Sequence, residues 1–409
     1  MSFMYRMAFV ALALGIISGC QKDNGFIDAP RKDIVLTKAE TEYVNAGNQF
    51  AFKWLSIVNK EQPGDWFVSP LSVQYALGML ANGANETAML EICNILGYGE
   101  DGIESLNSFV KSFSSQLSGL DPNTNARIAN MILANDSAPF VPAYKNRVMD
   151  IFNATTHEMS FNNSKAVANW VNKWAKDNTN GMLKDVVNEN DFYPNMLSVL
   201  GNAVYFKGKW AKCFEKKNTG ESVFVTESSV RKTVPMMKLE SDFVCTQTAV
   251  YKGIVLPYGN GAFQMEVFLP VGENSINDVI TFLCKNGKVS GTRREADVWL
   301  PKFESFTVKM PVKSQLILLG MSPSTYNGYN FMDIQPELGH QGGQINEIYH
   351  SAGIKVDESG AEAAVVTLVS MGMGAPPDAF EFHADHPFLY LISEVSTGAI
   401  LFAGKYGSQ

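Results

Sequence analysis

The sequence lacks the features that would place it in most other functional classes. It has no long hydrophobic span: the N-terminal apolar run, residues 7–17, is eleven residues long, against the roughly twenty that a transmembrane helix needs. No lysine or arginine run is long enough to track a phosphate backbone. The net charge of -8 argues against a nucleic-acid partner, and the surface reads as ordinarily soluble. There is no C-x-x-C pair, so zinc and dithiol redox motifs are unsupported. There is also no G-x-S-x-G, no H-E-x-x-H and no glycine-rich phosphate loop, which removes the common hydrolase, metalloprotease and nucleotide-binding signatures. No internal repeat, low-complexity segment or linker divides the 409 residues, so one large domain is expected over residues 36–409.

The first twenty residues stand outside that domain. Arg6 supplies a positive region, the apolar run follows, and Ile17-Ser18-Gly19-Cys20 closes it. Small residues before a cysteine resemble the bacterial lipobox, in which cleavage leaves Cys20 as a lipidated N-terminus. The alternative is a general secretory signal with a chance cysteine. The lipobox reading gives a signal peptide at residues 1–19 and a lipoprotein of the bacterial cell envelope. An outer-membrane location and surface exposure are expected, because Gln21-Lys22-Asp23-Asn24 resembles a surface-export tag of Bacteroidetes lipoproteins. The polar, Gly- and Pro-containing stretch at 20–35 reads as a flexible tether. The lipid would be the only contact with a membrane. Cys93, Cys213, Cys245 and Cys284 are irregularly spaced among apolar residues and read as small buried hydrophobes rather than disulfide partners.

Helical periodicity dominates the first half. It covers 37–59, a helix opened by Ser69-Pro70, another at 86–96 closed by Gly97, and 164–178. In the last of these, Trp170 and Trp174 share a face. The second half is strand-rich at 196–205, 222–225, 253–257, 264–269, 296–300, 387–392 and 399–402. Helices followed by mostly antiparallel strands indicate an α+β fold.

An ordered set of motifs resembles the serpin family. Phe67-Val68-Ser69-Pro70-Leu71-Ser72 is similar to F-x-S-P-x-S. Residues 202–210 are similar to N-A-x-Y-F-K-G-x-W, and Leu300-Pro301-Lys302-Phe303 also fits. Near the C-terminus, Glu358 to Ala364 resembles the hinge E-x-G-x-E-A-A, with His350 ten residues before Gly360. Residues 385–392 and 397–404 resemble the terminal signature. The resemblance implies the serpin fold, with a helix-rich N-terminal half, large mixed and antiparallel sheets, and an exposed reactive-centre loop. It implies a suicide inhibitor of serine proteases, extending to papain-like cysteine proteases, rather than an enzyme. Ser69, Ser72, Asn202 and His350 match the shutter positions that hold the sheet centre, and Trp210 matches the breach where the loop enters. Lys302 and Glu358 match an ion pair at the top of the sheet, worth little if exposed.

The loop itself reads as insertion-competent. Ala361, Ala363, Val365 and Thr367 alternate onto one uncharged face, while Glu362 falls on the other with Ala364 and Val366. Gly360 supplies the bend. Position 361 usually carries Thr or Ser in the family, and Val365-Val366 is bulkier than usual, so slower insertion is the most these departures imply. Counting from the terminal prolines places the scissile bond at Met373-Gly374; counting from the hinge gives Gly374-Ala375, and Met371-Gly372 is a further choice. Methionine suits elastase-like, chymotrypsin-like or subtilisin-like targets, and no Lys or Arg lies between 356 and 404 for a trypsin-like enzyme. The competing reading is a binding protein on the same fold without inhibition, against which the hinge composition argues. His383 and His386 flank Asp385 in sequence, but in a strand they would not converge, so no metal site is expected. No cofactor is expected either, since residues 100–119 form no basic helix face, and the protein is expected to be a monomer.

Overall fold

The computed structural model describes residues 27–99, 102–340, 343–360 and 379–408. Local signals set most helix ends. Thr37 caps α1 (Lys38–Glu61) in a reciprocal arrangement with Glu40. Ser69 accepts from the Ser72 amide to cap α2 (Pro70–Ala81), with Pro70 in the first turn. Asn85 opens α3 (Glu86–Leu96), and Gly97, at φ 85°, closes it. The remaining helices are α4 (Gly102–Leu117), α5 (Pro142–Phe152), α6 (Ser164–Asn178), α7 (Ile276–Asn286) and α8 (Lys313–Leu318). Among the described residues no helix is long and apolar enough to cross a membrane.

The strands are β1 (Trp66–Val68), β2 (Thr124–Asn135), β3 (Thr155–Met159), β4 (Ser198–Gly208), β5 (Gly220–Val225), β6 (Arg231–Gln247) and β7 (Tyr251–Tyr258). They continue as β8 (Phe263–Pro270), β9 (Thr292–Pro301), β10 (Phe303–Pro311), β11 (Tyr349–Val356), β12 (Phe380–His383), β13 (Phe388–Glu394) and β14 (Ile400–Tyr406). They form two sheets. The larger runs β1-β14-β13-β8-β7-β6-β9-β12, with β5 on β6, and the smaller runs β10-β11-β4-β2-β3. Both are mixed: β12 lies parallel to β9, and β11 to β4. The expected α+β class holds, but periodicity did not reveal β1, β2 and β3 in the first half or β6, β10, β11 and β12 in the second.

Aromatic side chains join the sheets. Phe206 of β4 meets Phe402 of β14 at 5.7 Å, and Phe303 of β10 meets Tyr390 of β13 at 5.3 Å. The Phe67 amide donates to Thr307 of β10. Helix α2 is buried nearly all round, since only Gln74 of its residues reaches partial exposure. Helix α6 covers the opposite face of the smaller sheet, where Val167, Val171 and Trp174 pack on Met131, Leu133 and Ala203. Trp170 is only partly buried and stacks on His157. The four cysteines after residue 27 are free; Cys93 and Cys245 are buried, Cys213 and Cys284 only partly so.

The tether expected at 20–35 is corrected over its second half. Ile27 and Asn123 exchange two hydrogen bonds of 2.8 and 2.7 Å, and Val35 and Gln116 exchange two of 3.0 and 3.3 Å. The Ile34 amide donates to the Ser396 hydroxyl, and the Ile34 side chain is buried. Backbone polar groups in this stretch find side-chain partners on distant elements, which its polar composition could not disclose.

Candidate functional site

Strand β4 has two unlike neighbours. Against β2 it is paired antiparallel along its whole length, from Ser198 opposite Ala134 to Gly208 opposite Thr124. Against β11 it is parallel, and pairing is limited to Ala203, Val204 and Tyr205 opposite Ser351, Ala352 and Gly353. Among the described residues no strand lies between β4 and β11 there. Towards the starts of both strands the two diverge around a cleft of about 380 Å³, lined by Leu197, Val199, Gly201, Ile345 and Ile348. Two side-chain links lie at this cleft. Lys309 pairs with Asp191, and Asn346 donates to the Tyr193 hydroxyl at 2.8 Å.

What the ladder lacks at its centre, side chains supply. The Ser69 amide donates to Nε2 of His350 at 3.1 Å, and the Ser69 hydroxyl donates to the Leu401 carbonyl at 2.7 Å. The Ser72 hydroxyl donates to Asn202. Asn202 donates to Asn130 at 2.7 Å, and Asn130 donates to the Phe152 carbonyl at 2.9 Å. One network therefore ties α2 to β14, β11, β4 and β2, across the weak seam. Burial pushes the His350 imidazole down to about 3, so it stays neutral and Nε2 remains an acceptor. The four residues expected at this centre are brought together. Asn130 was missed, because an asparagine inside a strand carries no signal until its partner strand is known.

At the far end of β4 the chain from Asp357 to Gly360 folds onto the strand's exit. The Trp210 amide donates to the Ser359 carbonyl, its indole N–H donates to the Asp357 carbonyl at 2.9 Å, and its ring stacks on Tyr258 at 4.4 Å. Asp357 receives both the amide and the hydroxyl of Ser359. Gly360 has φ 134°, and a Cβ there would lie 2.0 Å from the Gly208 carbonyl oxygen, so glycine is required.

Lys302 Nζ lies 3.0 Å from Glu358 Oε2, and the pair is exposed only on the lysine side. The Glu358 side chain is only 7% exposed, and Thr219 donates to its other oxygen. Burial alone would raise this carboxyl. Its own amide, Lys302 and Thr219 outweigh that and hold it below the ordinary range.

A family model described as serpin, serine protease inhibitor, matches residues 45–408. The chain belongs to the serpin family. A serpin-like protein of Methanosarcina acetivorans is 28% identical over 379 residues, covering 90% of this chain and 87% of that one. The native thermophilic serpin tengpin superposes with a TM-score of 0.80 at 24% identity, covering 93% of this chain and 97% of the other. Human thyroxine-binding globulin has the same fold, with a TM-score of 0.79 at 21% identity, covering 90% and 98%. Serpins are protease inhibitors as a family, although the fold is also that of a thyroxine-binding globulin.

In this serpin Ser69, Ser72, Asn202 and His350 form the centre of the seam, and Trp210, Lys302 and Glu358 form its upper end. The rest of the hinge, from Ala361 to Thr367, and the reactive-bond candidates Met371 to Ala375 lie outside the described residues. Sequence reasoning missed Asn130, Thr219, Asp357 and Ser359. His383 pairs with Asp297, whereas His386 binds Asp385 and the Pro270 carbonyl, so the two imidazoles are engaged separately.

Proposed function

We propose that this serpin is a suicide inhibitor of serine endopeptidases, with reach to papain-like cysteine enzymes. The observation that carries the reading is the seam. Strands β4 and β11 pair directly over three positions and part around a cleft, while the segment after Gly360 has the composition of a strand able to fill it. A protease attacks the Met373 carbonyl, the Met373-Gly374 bond breaks, and an acyl-enzyme forms. The freed segment from Ala361 onward enters between β4 and β11 and carries the attached protease with it, as strand addition and released strain describe for this family. Ala363 and Val365 then meet the sheet interior without an uncompensated charge. Elastase-like, chymotrypsin-like and subtilisin-like proteases fit Met373. The lipobox resemblance supports a lipid on Cys20 and a place in the bacterial cell envelope, at the outer membrane and exposed at the surface, with the protein acting as a monomer.

The shared fold of thyroxine-binding globulin supports a second reading, a carrier without inhibition. Incubation with chymotrypsin, elastase and subtilisin, followed by boiling in detergent, separates the two. Inhibition gives a covalent band at the summed mass less the C-terminal peptide released from Gly374 onward, and a binding protein without inhibition gives only cleaved protein.

A further inference from the structure

The docked stretch 27–35 fixes which pole of the molecule faces an anchor at Cys20. Ile27 is held by the Asn123 side chain, and the Asn123 carbonyl accepts from the Lys209 amide. Lys209 in turn bridges Gly360, the last described residue before the reactive segment. A second route converges there, because Asn260 donates to the Pro30 carbonyl while the neighbouring Gly259 amide donates to the Lys209 carbonyl. Asn123, Lys209 and Gly360 lie side by side over about two strand spacings, and Ile27 is one side-chain hydrogen bond beyond Asn123, so the first docked residue is within about 15 Å of the root of the loop. The opposite end of β4, at Ser198, is about 35 Å away along the strand.

Between Cys20 and Ile27 the chain advances seven residues, which cannot exceed about 25 Å. A protease domain of ordinary size has a diameter of about 45 Å from its radius of gyration. We infer that the anchored inhibitor presents its reactive loop towards the membrane, and that its partners are proteases able to work in the narrow layer beside the lipid surface. Bulky or particle-borne proteases are excluded until the tether is lengthened. Trapping then moves the captured protease from the membrane-facing pole to the opposite one. This rests on the inhibitory, lipidated reading above.

The test compares rates of complex formation for full-length lipidated protein on phosphatidylethanolamine/phosphatidylglycerol vesicles and in detergent. The probes are free chymotrypsin and chymotrypsin coupled to a gold particle several times its diameter. A variant carries a Gly/Ser insert of about forty residues between Asn24 and Gly25, adding ~35 Å of root-mean-square reach. On vesicles, the particle-borne enzyme should lose roughly tenfold in rate relative to the free enzyme, and the insert should restore it, as expected for an orientational restriction on encounter. In detergent the native-length and insert proteins should give the same ratio of rates. Equal ratios for the two proteins on vesicles would overturn the proposal while leaving inhibition intact. Absence of any complex in detergent would overturn the inhibitory reading, and failure of the protein to bind vesicles would overturn the lipid reading; either would take this proposal with it.

Discussion

The two sides of β4 carry different kinds of cohesion. On the β2 side, a full antiparallel ladder holds the strand and α6 packs over it. On the β11 side, backbone pairing covers only Ala203 to Tyr205, and the boundary is closed by Ser69, Ser72, Asn202 and His350, by Trp210 at one end, and by side-chain links such as Asn346 to Tyr193 at the other. A continuous ladder is cooperative and resists opening. A seam held by a few side-chain bonds can part and then be re-satisfied by a new strand. On the proposed function, that boundary is the one that opens, and each prediction below loads it or spares it.

The largest effect is expected from Ala363→Arg. Burying an unpaired guanidinium between strands costs at least several kcal/mol. Cleavage beside Met373 should continue while the covalent complex disappears, and gel analysis of a chymotrypsin titration reads both. Mass spectrometry of the released C-terminal peptide should find it beginning at Gly374.

Next is pH. His350 is neutral when folded, with its imidazole pushed down to about 3, whereas in the unfolded chain it titrates near 6.5. Above 6.5 neither state takes the proton. As pH falls below 6.5 only the unfolded state binds it, so stability declines by about 1.4 kcal/mol per pH unit until the folded group titrates. Urea unfolding between pH 6.5 and 4.5 should show this slope. His350→Asn should have a shallower one, by about one proton.

Asn130→Ala should follow, at about 1–3 kcal/mol, because Asn202 and the Phe152 carbonyl each lose a partner in a buried setting. Conversion of the intact protein to an inserted form on warming should also speed up, read as loss of inhibitory activity without cleavage. The smallest effect is expected from Lys302→Met. The Lys302 side chain is 40% exposed, and Glu358 keeps Thr219 and its own amide, so the loss should be about 1 kcal/mol or less in urea unfolding.

How far the sequence carried this account differs by element. Ser69-Pro70 and Gly97 marked helix ends through local chemistry, and those ends appear where the residues placed them. The motif set located the network residues, since Ser69, Asn202 and His350 come from three distant segments and meet in space. Strand β2 was not legible because its second half, Asn130 to Asn135, is buried without alternation, and β3 because it is a short edge strand with no buried residue to mark a face. Burial of Glu358 was hidden as well, because the turn from Asp357 to Gly360 that buries it is stabilised by the distant Trp210. The docked stretch 27–35 escaped for the same reason: its partners, Asn123, Gln116 and Ser396, are far away in sequence.

The central claim is that the β4–β11 boundary is held ready for a strand that stabilises the sheet by entering it. Differential scanning calorimetry of intact protein and of protein cut once in the loop tests it most directly. The cut form should melt at least ~10 °C higher, equivalent to several kcal/mol at this chain length. Identical melting temperatures would contradict the account.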